Sequence, residues 1–279
     1  NLMKDTIVVD TPDCYLKNDT HTDKEHTKLM FDKMLKAIEK NHKVTSAVIL
    51  EPLVQCAGYM RMYHPIYLKL LREACDKYKL HLIADEIAVG FGRTGTMFAY
   101  EKSKITPDII CLSKGITGGY MTLSTILTND NIYNAFYDEY IKLNAFLHSH
   151  SYTANPLACT AANASLDLFE KNNVINNNKI LSEYILKSFT EISKHPNVSD
   201  VRQHGMITAI ELVKNKSKKI PYNWKERRGL RAYEYGLKNN VLIRPLGNVI
   251  YFMPPYIIKK KEIDKVINVI HGAIDVATK

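Results

Sequence analysis

The sequence predicts an α/β protein: a large domain on a mostly parallel sheet, then a smaller α+β C-terminal domain. Three observations carry that prediction. Short apolar runs alternate with amphipathic helical stretches through the first half of the chain. Two of those runs, residues 80–84 and 108–112, are apolar and bounded by charge or turn residues, as strands buried on both faces are. After Asn155 the alternation stops and shorter, mixed signals follow.

Taken in order, residues 6–9 read as a short strand and the polar stretch 10–25, with Pro12, as a loop. Phe31, Met34, Leu35 and Ile38 recur at helical spacing, which predicts a helix over about residues 27–42. Residues 44–50 read as a buried strand ending at Glu51-Pro52, and Gly58 and Pro65 mark the loop after it. Pro65 suits the first turn of a helix in which Tyr67, Leu70, Leu71, Ala74, Cys75 and Tyr78 share one face. Strand 80–84 follows, then a loop over 90–95 with three glycines and a helix-like stretch over 97–102. Strand 109–112, a turn with Gly115, Gly118 and Gly119, and strand 123–128 complete the alternation. Strands alternating with helices imply parallel βαβ units with right-handed crossovers.

Beyond that point, helices are predicted over 156–171 and 180–192. Strand 207–212, helix 224–238, strands 241–244 and 249–253 and helix 262–274 follow. The Asn-rich stretch 172–178 is the candidate boundary, dividing the chain into 1–175 and 176–279.

Composition narrows the function classes. The 279-residue chain is 46% hydrophobic and 24% charged, ordinary for a globular protein. Its net charge is +9, but the lysines are scattered (Lys24, Lys28, Lys33, Lys36, Lys40, Lys43) and the longest cluster is Lys259-Lys260-Lys261. That pattern is a basic surface rather than a nucleic-acid or anionic-membrane footprint. Five cysteines, an odd number with no CxxC, point to reduced thiols in a cytoplasmic protein and against a disulfide frame or zinc site. No apolar run reaches the roughly 18 residues of a membrane span. The chain opens Asn1-Leu2-Met3, without an initiator Met or a signal peptide, and reads as a fragment lacking its N-terminal part.

The chemistry gathers in the stretch from 79 to 119. One buried run delivers a carboxylate, Asp85, and the next an amine, Lys114. In an open parallel sheet, ligands sit beyond the carboxyl ends of the strands, so neighbouring parallel strands bring these two groups to one crevice. An acid and an amine there suit a cofactor with a basic ring nitrogen and an aldehyde, pyridoxal 5′-phosphate. Lys114 read alone is far more often a surface lysine at a strand end than a catalytic amine. A charge at Asp85 needs a partner; the plainer readings are a helix N-cap or a pair with Arg93. Ile87, two residues on, points to the same side if the chain stays extended, and either presses on the cofactor ring or packs in the core.

Three further positions matter. Ser151 lies in HSHSYTAN, before the helix opened by Asn155-Pro156; hydroxyls near a helix start ligate phosphate or cap the helix. His148 and His150 lack a carboxylate or Cys set for a metal site. Arg244 follows a strand, with Tyr251 across a Gly247-Asn248 turn, so a hairpin sets them on facing strands. A guanidinium there can grip a carboxylate or make a structural ion pair.

The run IADEIAVGFGRTGTMFAYEKSKITPDIICLSKGITGGYMTLSTIL closely resembles class III, fold-type-I pyridoxal-phosphate aminotransferases. EPLVQCAGYMRMYHP, FLHSHSYTANPLAC and RPLGNVIYFMPPYI resemble a branch of that class that aminates 8-amino-7-oxononanoate in biotin synthesis. The resemblance implies a fold-type-I large domain and a transaminase. Lys114 matches the Schiff-base lysine, Asp85 the partner of the pyridine nitrogen, and Ile87 the apolar residue beneath the ring. Ser151 matches the hydroxyl residue that reaches the phosphate of the neighbouring subunit's cofactor, which implies a homodimer. Arg244 matches the arginine holding the oxononanoate carboxylate, Tyr251 the tyrosine near it, and Arg93 an active-site arginine; Glu51 faces the substrate or an arginine. The implied amino donor is S-adenosylmethionine, or lysine. Ala88 stands where many class III members have Gln, and Val89 where Thr is usual. The family's N-terminal portion, with its phosphate-cup Gly-Ser pair and aromatic ring stacker, has no match here, so this chain alone is expected not to complete an active site. The rival readings are another ω-amine or β-alanine-type aminotransferase, and an inactive fragment with an oligomerisation role.

Overall fold

A computed structural model describes residues 6–279. The chain divides into two compact units: one takes in the residues up to Leu53, Tyr63–Phe91 and Tyr100–Lys171, the other Val54–Met62, Gly92–Ala99 and Asn172–Lys279.

The first unit opens without the strand expected at 6–9. Those residues carry no regular structure, and Val8 is exposed; an apolar run forms a strand only where a ladder takes up its backbone groups. Helix α1 (Asp23–Asn41) starts earlier than its apolar periodicity indicates, because a capping box starts it. The Thr22 hydroxyl accepts from the Glu25 N–H, and the Glu25 carboxylate accepts from the Thr22 N–H at 2.8 Å. The helix buries Thr27, Phe31 and Ile38.

Strand β1 (Ala47–Leu50) is shorter than expected, since Val44 closes a 3-10 turn and is exposed. A small hairpin, β2 (Val54–Gln55) and β3 (Arg61–Met62), belongs to the other unit. Helix α2 (Ile66–Tyr78) follows Pro65, whose fixed φ presets the first turn. It ends at Lys79 in the left-handed conformation, with the Leu80 N–H bonded back to the Cys75 carbonyl at 2.9 Å. Phe31 of α1 meets Tyr67 of α2 edge-on, ring centroids 5.6 Å apart.

Strands β4 (His81–Asp85), β5 (Ile109–Leu112) and β6 (Thr125–Thr128) complete a sheet of order β1-β4-β5-β6. β1 runs parallel to β4, and β4 to β5. β6 departs from the parallel pattern and returns antiparallel. The connection before it is a tight turn around a 3-10 helix, Lys114–Thr117, not a crossover helix, and only a crossover delivers a parallel neighbour. Leu82 and Ala84 on β4 and Leu112 on β5 are buried, as are Leu68, Leu71 and Cys75 on α2. Each such large side chain contributes roughly 1.5–3 kcal/mol when fully buried. The stretch expected as helical over 97–102 is a 3-10 helix, Ala99–Ser103. A short helix α3 (Asp130–Asn134) and helix α4 (Pro156–Lys171) end the unit.

In the second unit, helix α5 (Val174–Phe189) begins inside the Asn-rich stretch, several residues before the helix expected at 180. Its sheet has the order β10-β11-β8-β7, from β7 (Val198–His204), β8 (Ile207–Asn215), β10 (Arg244–Leu246) and β11 (Val249–Phe252). The two-residue β9 (Ile220–Pro221) pairs with β8, and every ladder is antiparallel. β7 has no clear sequence signal because it is a half-buried edge strand of mostly polar residues. The strand expected over 241–244 starts only at Arg244. Helices α6 (Arg228–Lys238) and α7 (Lys260–Thr278) join α5 around a core that includes Phe189, Ile210, Leu212, Ile250, Ile263 and Ile270. A turn of 3-10 helix, Trp224–Glu226, stands where α6 was expected to begin.

The β2–β3 hairpin is clasped onto this sheet by charge. Arg202 of β7 donates to the Met60 carbonyl at 2.8 Å and the Tyr59 carbonyl at 2.7 Å, and pairs with Asp200 and Glu211 at 2.9 Å each. Arg61 reaches the same Glu211 at 3.0 Å. Among the described residues, no helix is long and apolar enough to cross a membrane.

Candidate active site

Asp85 is the last residue of β4 and pairs with Cys111 of β5. Because the two strands are parallel, their carboxyl ends open on one edge. The ladder extends one step further, with the Glu86 N–H on the Cys111 carbonyl at 3.0 Å. The chain then turns, and the Asp85 carboxylate accepts the Ile87 N–H at 3.1 Å, closing an Asx turn. This corrects the placing of Ile87 beside Asp85 on an extended stretch: residue 87 lies in the turn, where alternation no longer applies. The carboxylate caps no helix; it accepts a backbone N–H of its own turn.

Lys114 leaves β5 in a left-handed conformation, φ 44°, which costs a non-glycine residue about 1–2 kcal/mol. Its neighbours hold it there. The Ser113 hydroxyl donates to the Leu123 carbonyl at 2.7 Å, and the Thr117 hydroxyl to the Met121 carbonyl at 2.6 Å. Gly115 packs against Phe91, whose Cβ and ring would lie 3.0 Å from any Cβ at that position. The Lys114 residue itself is exposed. A strained backbone fixed on both sides, carrying an accessible amine, is the kind of feature that clusters at functional sites.

Glu51 follows β1 directly. Leu50 pairs with Ala84, so the next residue of each strand brings Glu51 level with Asp85. The Glu51 carbonyl accepts the Tyr63 hydroxyl at 2.6 Å, and burial pushes that phenol well above its ordinary pKa. Glu86 has no expected role from the sequence. It is completely buried, and its carboxylate accepts the Tyr100 N–H at 2.9 Å. The signal available was a second carboxylate at the end of an apolar strand. Burial, with Asp85 close by, also raises the Cys111 thiol. All five cysteines are free thiols.

Ser151 sits in an exposed turn before α4. It does not cap that helix; the Asn155 carboxamide does, accepting the Leu157 N–H at 3.0 Å and the Ala158 N–H at 3.3 Å. The surrounding segment leaves large apolar groups exposed, among them Tyr120, Tyr140, Leu143, Phe146, Leu147 and Tyr152.

In the second unit the β10–β11 register sets Arg244 directly opposite Tyr251. Arg93 belongs to the same unit. Its Nη1 donates to the Pro254 carbonyl at 2.6 Å, and its guanidinium stacks 4.6 Å from the Tyr256 ring centroid. The Arg93 carbonyl accepts the Met206 N–H at 2.8 Å. Pro254 lies three residues past Tyr251, about 10 Å of extended chain. Arg93 is thus held to the chain just beyond the strand that carries Tyr251. Pro254 and Tyr256 were missed, although an aromatic residue just past a strand carrying Tyr251 was visible in the sequence.

The family model described as aminotransferase class-III matches residues 3–274. The adenosylmethionine-8-amino-7-oxononanoate aminotransferase of Helicobacter pylori is 49% identical over 234 residues, 82% of this chain and 52% of that protein. The Geobacter sulfurreducens protein of the same name is 44% identical over 86% of this chain and 53% of its own length. The chain thus spans about half the length of the curated relatives it matches. Among solved structures, the Methanocaldococcus jannaschii protein of that name superposes with a TM-score of 0.86 at 39% identity, covering 88% of this chain and 57% of the other. An (S)-enantioselective omega-transaminase from Thermomicrobium roseum gives a TM-score of 0.91 at 28% identity, covering 98% and 60%.

Proposed function

The chain belongs to the class-III aminotransferase family, and from that premise we propose that it carries the amine, acid and carboxylate-binding groups of an 8-amino-7-oxononanoate aminotransferase. The observation that carries this reading is the run of relatives bearing that name, at 35–49% identity over 82–98% of the chain. Membership makes pyridoxal 5′-phosphate the cofactor to test against the residues, and they fit it. Asp85 and the lysine-bearing turn stand at one edge of adjacent parallel strands. The amine is accessible, and Gly115 lets Phe91 pack beneath the turn.

When bound, the cofactor supplies an electrophilic carbon and an electron-withdrawing ring. Asp85 holds a proton on the ring nitrogen. Lys114 would hold the cofactor by its Nζ; displaced by the donor amine, the same Nζ would carry the proton from the donor's α-carbon to the cofactor in the first half of a ping-pong cycle, and from the cofactor to the acceptor's carbon in the second. Ile87 lines the ring from the Asx turn. Arg244 grips the substrate carboxylate in a fork with Tyr251 opposite, Arg93 supplies a second cation, and Glu51 lies at the substrate edge. The donor is S-adenosylmethionine or lysine, and the product is 7,8-diaminononanoate, an intermediate of biotin synthesis.

A homodimer is part of the reading. Large apolar side chains along the segment around Ser151 are exposed, which supports a second copy covering them, and that copy lets Ser151 reach the partner's cofactor phosphate. Five free thiols agree with a cytoplasmic location. The decisive experiment offers the protein, as its organism expresses it, 8-amino-7-oxononanoate with either donor, beside a panel of ω-amines. Amino transfer to 8-amino-7-oxononanoate is expected. Transfer among ω-amines alone assigns it to the omega-transaminase branch, and no transfer at all refutes the reading. Light scattering should give twice the chain mass.

A further inference from the structure

Arg93 is held at both ends by the second unit's own chain. Its carbonyl takes the Met206 N–H, and its guanidinium lies between the Pro254 carbonyl at 2.6 Å and the Tyr256 ring at 4.6 Å. A guanidinium has five N–H donors in a rigid plane. One edge bonded to a carbonyl and one face on an aromatic ring leave that plane a single orientation. Among the described residues, the Pro254 carbonyl accepts the hydrogen bond that the Arg93 side chain makes. The other donors of the fork therefore remain for a ligand carboxylate, aimed by the first two contacts.

We infer that Tyr256 is a positioning residue: its ring face, with the Pro254 carbonyl, orients Arg93 towards the carboxylate of a substrate and so sets specificity at that end of the site. The inference deepens the proposed function and rests on its reading of Arg93 as a substrate group. Tyr256 is half-buried and follows directly from the hairpin that carries Arg244 and Tyr251. Tyr256 also packs against the core of its unit, so a substitution that keeps an aromatic face should preserve both contacts, and one that removes it should loosen Arg93 along with that packing.

The test measures kcat and KM separately for donor and acceptor in the parent protein and in Tyr256→Phe, Tyr256→Leu, Arg93→Ala and the Tyr256→Leu/Arg93→Ala double variant. Tyr256→Phe is expected to match the parent. Tyr256→Leu is expected to raise KM for one substrate by about 3- to 10-fold, the effect of losing a partly desolvated cation–π contact, with kcat within about twofold. The double variant should equal Arg93→Ala, because a ring that acts only through the arginine adds nothing once the arginine is gone. If Tyr256→Leu does not fold, as judged by its circular dichroism, Tyr256→Met carries the same comparison. An Arg93→Ala effect on KM with none from Tyr256→Leu, or additive effects in the double variant, overturns the positioning role alone. An Arg93→Ala protein with unchanged KM for every substrate overturns the reading of Arg93 and the inference with it.

Discussion

Asp85 and Cys111 lie side by side on parallel strands, so the end of one strand sets the height at which Lys114 leaves the other. That relationship makes the acid and the amine a pair that fails together. Lys114→Ala should lower the transamination rate by at least about 10²–10⁴-fold, the range for a lost general base. Asp85→Asn should lower it by about 10²–10³-fold, as removal of a preorganised charge does. Borohydride reduction with pyridoxal phosphate, followed by mass spectrometry of the peptides, should mark Lys114 in the parent. A mark that persists elsewhere in the Lys114→Ala protein would falsify the assignment.

Glu211 is the hinge of the clasp that holds the β2–β3 hairpin. Its carboxylate is 7% exposed and serves Arg202, itself 9% exposed, as well as Arg61. Removing one partner of a buried pair strands the other, at a cost of about 3–5 kcal/mol. Glu211→Ala should lose stability of that size in urea melts, and the Glu211→Ala/Arg202→Leu protein should recover part of it. A double variant less stable than Glu211→Ala would show that Arg202 keeps independent value through the Tyr59 and Met60 carbonyls.

Gly205 closes the β7–β8 turn with φ +57°. A Cβ there would meet the Thr94 backbone carbon, the Arg93 carbonyl at 2.6 Å and the Gly95 N–H nitrogen at 2.7 Å. None of these is the yielding end of a side chain. Gly205→Ala should therefore destabilise by at least about 2 kcal/mol, combining the left-handed conformation with overpacking. Because the crowded atoms belong to the segment bearing Arg93, the loss should come with a higher substrate KM. Thermal unfolding and steady-state kinetics check both, and a change below about 1 kcal/mol would contradict the close approach.

Asp108 links pH to stability in the first unit. Burial alone would raise its pKa, but the Leu82 N–H and the Arg72 guanidinium, each at 2.7 Å, outweigh it and hold the carboxyl below its ordinary value of 3.8. A depressed folded pKa contributes stability above the ordinary value, and that stability is lost as pH falls through the folded value. Asp108→Asn should cost about 1.5–3 kcal/mol near neutral pH, the worth of hydrogen bonds to a charged group. The gap to the parent should close as the pH of the melts drops below 3.8. A gap that is constant with pH would mean that the charge itself does not matter.

The sequence by itself determined the parts that rest on local pattern. The apolar runs around β4 and β5, the acid and amine at their ends, the Gly247-Asn248 hairpin opposing Arg244 and Tyr251, and the amphipathic helices follow from periodicity and turn chemistry, which neighbouring residues encode. Capping shifted helix edges because the residues responsible, Thr22 and Glu25, carry no apolar signal. Tertiary structure alone decided the antiparallel return of β6, the polar edge strand β7 and the turn that removes Ile87 from its expected line. It also decided that the hairpin over residues 54–62 joins the C-terminal unit through Arg202, and that Arg93 is aimed by Pro254 and Tyr256. Those contacts join residues more than a hundred positions apart, and a periodic pattern states which face is buried without stating which distant carbonyl or ring a guanidinium will find.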